Sequence, residues 1–110
     1  MRVFVTGGNG FIGSVVVRTL LAQGHGAVLL LRPSSRTERI DDLDYQRALG
    51  DVRDLDSVRI GMEGCDGVVH LACLSSWDVI DSPEMHEVAV TGTRNVLETA
   101  RDRGGLRSVY

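Results

Sequence analysis

Apolar residues along this chain fall into two kinds of pattern, short continuous runs and spaced stripes, and the two alternate. Val3-Phe4-Val5, Ala27 to Leu31 and Gly67 to Ala72 are runs that do not alternate with polar residues, as in strands covered on both faces. Between them the spacing is helical. Ile12, Val16, Thr19 and Leu20 recur so as to lay one helix face on a sheet, with Gly24 as the stop. Asp54 caps a second helix to about Glu63, turning Leu55, Val58 and Met62 inward. Ser82-Pro83-Glu84 opens a long third helix, with serine as cap, proline in the first position and an acid beside the positive end. Met85, Val88, Gly92, Val96 and Ala100 carry its apolar face to Gly104-Gly105.

Tyr45 to Leu49, with Arg47 inside it, is a weaker strand suited to a sheet edge, and Leu106 to Tyr110 begins a fifth strand. Ser34 to Asp44 is polar and holds a short helix or none; Cys73 to Asp81 is a loop. Strands alternating with helices predict an α/β fold, a doubly wound parallel sheet in the order 3-2-1-4-5. A chain that stops within a strand leaves an unpaired apolar edge, so these residues are expected to be the N-terminal part of a longer protein.

Four glycines lie between the first run and the first stripe, in Thr6-Gly7-Gly8-Asn9-Gly10-Phe11-Ile12-Gly13. Gly8, Gly10 and Gly13 fit G-x-G-x-x-G, and Gly7, Gly10 and Gly13 fit G-x-x-G-x-x-G, in the strand–turn–helix context that gives such spacing meaning. The N–H groups and positive end of the helix starting near Phe11 attract a pyrophosphate, and missing Cβ atoms let it approach. The alternative is a tight turn that binds nothing.

Composition narrows the function classes. The 110 residues are 43% hydrophobic, enough for one domain with a core, and the net charge is -3. No basic stripe marks a nucleic-acid footprint, and the arginines from Arg32 to Arg39 are spaced among polar residues. No run approaches the ~20 apolar residues of a membrane span, and no signal-peptide pattern precedes the first strand, so a cytoplasmic location is expected. Cys65 and Cys73 lack companion ligands at metal spacing and are expected to be reduced, mostly buried thiols.

The glycine loop, Gly50-Asp51-Val52-Arg53-Asp54, His70-Leu71-Ala72 and Gly92-Thr93-Arg94-Asn95-Val96-Leu97 together resemble the extended short-chain dehydrogenase/reductase family, the NAD(P)-dependent epimerase/dehydratase group with its Rossmann-type sheet. The "LLLRPSSR" stretch is most similar to the dihydroflavonol-4-reductase-like branch. The resemblance implies that Gly7, Gly10 and Gly13 shape the phosphate loop while Phe11 and Ile12 present N–H groups to the pyrophosphate. It implies that Asp51 holds the adenine amino group and the Val52 N–H a ring nitrogen, and that Leu71 and Ala72 line the path of the cofactor ribose. Asp51 could instead be a turn residue before a helix, and His70 a core histidine with a satisfied ring.

Where an NAD site wants an acid at the end of the second strand, this sequence has Arg32, which can pair with a 2′-phosphate. NADP is therefore favoured, with NAD possible, and Ser34 and Arg36 are candidates to assist. The family's Tyr-x-x-x-Lys pair is missing, since the chain has no lysine. Ala89 stands where many members carry an asparagine that supports a proton relay. The resemblance thus implies the cofactor-binding part of a reductase or epimerase acting on a sugar or other small substrate through residues outside this chain, with a possible homodimer. The alternative is a non-catalytic NAD(P)-binding sensor of the same fold.

Overall fold

In the computed structural model, which describes residues 1–72, 82–103, 106 and 108–109, the strands are β1 (Arg2–Thr6), β2 (Gly26–Leu31), β3 (Gln46–Leu49), β4 (Gly67–His70) and β5 (Ser108–Val109). They pair in parallel in the order β3-β2-β1-β4-β5, as the alternation of runs and stripes predicts. Val5 lies level with Leu29 on one side and Val69 on the other. Side chains of successive strand residues point to opposite faces, and each face has its own core. Val3, Val5, Ala27, Leu29 and Leu31 pack with Val17 and Ile40. Phe4, Val28, Leu30 and Val68 pack on the other face with Val58, Met62, Val96 and Ala100. Two covered faces explain why the strand runs do not alternate with polar residues.

Helix α1 (Phe11–Ala22) is turned differently from its hydropathy stripe. Its buried residues are Gly13, Ser14 and Val17, with Leu20 and Leu21 packed against the core, whereas Ile12 is 68% exposed and Thr19 is exposed. The cause is steric: Gly13 passes directly beneath Gly7, where a Cβ would collide with the Gly7 carbonyl oxygen. The true stripe of positions 13, 17, 20 and 21 therefore begins at a residue with no side chain, which hydropathy does not register.

Helix α2 (Leu55–Met62) follows expectation, with the Asp54 carboxylate accepting the Asp56 N–H, Val58 and Met62 fully buried and Leu55 half-buried. The third helical run is not uniform. It opens as α3 (Pro83–His86), capped by Ser82 Oγ accepting the Met85 N–H at 3.0 Å, widens into a π-helical segment over Glu87–Gly92, and continues as α4 (Thr93–Arg103). Val88, Gly92, Val96 and Ala100 are all buried. Steps of four residues drift by about 40° each in an α-helix, and the wider π turn takes up part of that drift so that one face stays on the sheet.

Residues 34–44 form turns without a helix, and Ile40, 0% exposed, anchors them to the core. β4 ends at His70 rather than Ala72, because the Leu71 and Ala72 N–H groups are drawn to Thr6. Cys65 is a buried free thiol that donates to the Gly61 carbonyl at 3.8 Å, with burial pushing its pKa up; Cys73 and the expected loop Cys73 to Asp81 lie outside the described residues. Among the described residues no helix is long and apolar enough to cross a membrane, and no cluster of side chains suits a metal ion.

Candidate functional site

The four loop glycines do different jobs. Gly7 has φ +72°, which favours glycine, and a Cβ there would lie 2.7 Å from the Leu71 carbonyl carbon. Gly8 packs against β2, where a Cβ would come within 2.8 Å of the Leu29 side chain. Gly13 lets α1 approach the loop. Gly10 differs from all three. Its backbone, φ -78° and ψ -179°, is open to any residue, and a Cβ there would meet only the Gly7 carbonyl oxygen, at 3.4 Å. The protein's own packing gives little reason for a glycine at this position.

Gly10 is the N-cap of α1, and its carbonyl accepts the first helical bond from the Ser14 N–H at 2.9 Å. The N–H groups of Phe11, Ile12 and Gly13 precede that bond and have no partner within the helix. No side chain caps this end and the first turn carries no acid, so its partial positive charge is uncompensated by the chain itself.

A cleft of about 780 Å³ opens at the carboxyl ends of the strands, the position at which sheets of this order bind ligands. Gly7, Gly10, Phe11, Ile12 and Gly13 line it from the loop and helix side. Arg32 lines it from the end of β2, Asp51 and Val52 from beyond β3, and Leu71 and Ala72 from beyond β4. All ten residues singled out in the sequence thus surround one cavity, although they come from four separate segments. The loop after β2 is tied down by the Arg32 N–H donating to Ser35 Oγ at 2.9 Å and by the Asn9 amide donating to the Arg36 carbonyl at 2.8 Å. Ser34 and Arg36 line the same wall.

Asp51 is a turn residue that also faces the cleft. Its Oδ1 accepts the Arg53 N–H and Nε, each at 3.0 Å, and its Oδ2 accepts Arg53 Nη2 at 2.7 Å. The Arg53 guanidinium holds the Asp51 carboxyl below the usual carboxylate range, so it remains an ionised acceptor. Val52 is 7% exposed and its carbonyl accepts the buried Asn95 amide at 2.9 Å. A Cβ at Gly92 would lie 2.7 Å from the Val52 side chain, so the π-helical segment packs closely on the same residue.

Thr6, His70 and Thr93 form a chain beneath the glycine loop. Thr6 Oγ1 accepts the Leu71 and Ala72 N–H groups at 3.1 and 3.2 Å, which leaves its own proton for His70 Nδ1 at 2.6 Å. The ring proton therefore sits on Nε2 and is donated to Thr93 Oγ1 at 2.9 Å. Burial holds the His70 pKa below its usual value, which keeps the ring neutral. His70 is thus a histidine with a satisfied ring, as the sequence reading has it. Thr6, Thr93, Asn95 and Arg53 were not singled out, though each lies inside a motif that was; the signal missing from the sequence was which distant group each one faces.

The fold is a doubly wound parallel α/β sheet with a cleft at the carboxyl ends of its strands. Comparison with known sequences fixes the class: the chain belongs to the NAD dependent epimerase/dehydratase family, whose pattern matches residues 3–110. It is 40% identical over 107 residues to a putative dihydroflavonol 4-reductase of Synechocystis, covering 97% of this chain and 31% of that protein. Cinnamoyl-CoA reductase 1 of rice, Oryza sativa subsp. japonica, is 37% identical over 115 residues, covering 98% of this chain and 33% of the reductase. Among solved structures, the UDP-glucose 4-epimerase of Thermus thermophilus in complex with NAD superposes with a TM-score of 0.83 at 34% identity, over 100% of this chain and 37% of that one. The chain thus spans about a third of the length of these relatives.

Proposed function

We propose that this chain is the dinucleotide-binding part of an NAD(P)-dependent reductase or epimerase acting on a sugar or other small carbonyl or hydroxyl compound, and that it takes NADP in preference to NAD. The observation that carries the reading is Gly10: the one loop glycine at which the protein could accommodate a Cβ sits at the bare N-terminus of α1, on the wall of the cleft. A cradle for a pyrophosphate accounts for both facts.

In this reading Phe11, Ile12 and Gly13 donate N–H groups to the pyrophosphate. Asp51 offers the adenine amino group a remaining lone pair while Arg53 keeps it ionised, and Val52, held from behind by Asn95, presents its N–H. When bound, the nicotinamide supplies or takes up hydride. Arg32 supports NADP, since an exposed guanidinium at the end of β2 suits a 2′-phosphate. That preference rests on Arg32 alone, because the Thermus epimerase complex contains NAD. The relatives named above are reductases and an epimerase, which supports the enzyme reading over a non-catalytic sensor. With no lysine in the chain, a Tyr-x-x-x-Lys pair would have to come from residues outside these 110.

Titration of the intact protein with NADPH and then NADH, followed by nicotinamide fluorescence, tests this. Tight NADPH binding with weaker NADH binding is expected. Binding of neither by a protein with a native circular dichroism spectrum would overturn it.

A further inference from the structure

At the ribose end of the cleft, one carboxylate oxygen stands between two arginines. Glu84 Oε1 lies 4.0 Å from Arg32 Nη1 and 3.8 Å from Arg53 Nη1. Arg53 turns its other nitrogens, Nε and Nη2, to Asp51, and Nη1 also faces Glu87 Oε2 at 3.5 Å. Three segments meet here: the end of β2, the turn after β3, and the first turns of the helical run that opens at Pro83. Of these charged residues Arg32 and Asp51 line the cleft itself, and Glu84 and Arg53 stand just outside it, against those two.

An anion held between two guanidinium groups, at the point where the sequence leads one to expect a phosphate, marks an anion site already occupied by the protein's own side chain. We infer that Glu84 is a cofactor-specificity residue: it is the resident counter-ion of a site formed by Arg32 and Arg53, and the 2′-phosphate of NADP must displace it. The inference rests on the dinucleotide reading above and adds to it Arg53 as a second phosphate partner and Glu84 as a competitor. Charge decides the effect. With its carboxylate in place, Glu84 neutralises Arg32 and repels an incoming phosphate, whereas the 2′-hydroxyl of NAD carries no charge and is indifferent to it.

Both partners are substantially exposed, with 44% of the Arg32 and 48% of the Glu84 side chain accessible, so solvent screens the pair and the effect is modest. Glu84→Gln in the intact protein should tighten NADPH roughly two- to fivefold at low salt and leave NADH unchanged, the advantage shrinking as salt is raised. Glu87→Gln, which touches Arg53 but leaves Glu84 on Arg32, should change the ratio less. A merely structural role for Glu84 in starting its helix would instead shift both nucleotides alike. An unchanged NADPH-to-NADH ratio in Glu84→Gln, or equal changes in both affinities, would overturn the inference. Failure of the dinucleotide reading is seen separately, as wild-type protein that binds neither nucleotide.

Discussion

The two ends of the cleft are built from opposite materials. At the glycine loop the cleft is walled by backbone: N–H groups at the start of α1, a helix end with no capping side chain, and glycines. At the other end they are charged side chains, Arg32, Asp51, Arg53 and Glu84, held by one another. At this helix end no capping side chain or first-turn acid compensates the backbone donors, and their placement changes only if the fold changes. A charged end can be tuned one side chain at a time, which suits it to choosing between two cofactors that differ by one phosphate. The same contrast separates stability from affinity, and substitutions can exploit it.

The largest effect should come from the part of the loop that the fold itself requires. Gly13→Val drives a side chain into the Gly7 carbonyl and should cost about 3 kcal/mol or more of stability, measured by urea denaturation. At the charged end, Arg32→Asp should leave stability nearly unchanged while weakening NADPH by about 1.4–2.7 kcal/mol, or roughly 10- to 100-fold, and NADH far less. Equal losses for the two nucleotides would remove Arg32 from the phosphate. Asn95→Ala strips the buried Val52 carbonyl of its donor and should cost about 1–3 kcal/mol in stability. In the proposed reading, where the Val52 N–H meets the adenine common to both, it should also lower affinity for both nucleotides.

The smallest effect is a pH dependence. His70 has its folded pKa lowered by burial, so as pH falls below its ordinary value of 6.5 the unfolded chain takes up a proton that the folded one resists. The stability due to a neutral His70 is therefore present above that pH and declines as pH falls towards the folded value. His70→Gln should flatten the stability profile in that window, and an unaltered slope would show that other groups cause it.

Legibility in the sequence follows the same division. The strand order could be read because apolar runs covered on both faces differ in pattern from helical stripes, and the glycine loop because missing side chains are visible in a sequence. The rotation of α1 could not, since it is set by Gly13, which contributes nothing to a hydropathy pattern. The π-helical turn was hidden for a related reason: apolar residues four apart at 88, 92, 96 and 100 look like an ordinary helix until the accumulated drift has to be absorbed. At the site, Arg32 and Asp51 were found from their motifs. Glu84, Thr93 and Asn95 gain their meaning from partners 20 or more residues away, at or just beyond β2, β3 and β4, and no local pattern states such pairings; Arg53 pairs first with Asp51, two residues before it, and only then with distant Glu84.

The central claim is that Gly10 is kept free of a side chain for a ligand rather than for the fold, and Gly10→Val tests it most directly when unfolding temperature and NADPH affinity are measured on the same sample. The account predicts a midpoint lowered by no more than about 8 °C, the cost of a poor N-cap residue, and NADPH binding weakened about 100-fold or more. A variant that binds NADPH as wild type does would contradict it, and would leave the glycine turn as an element of structure alone.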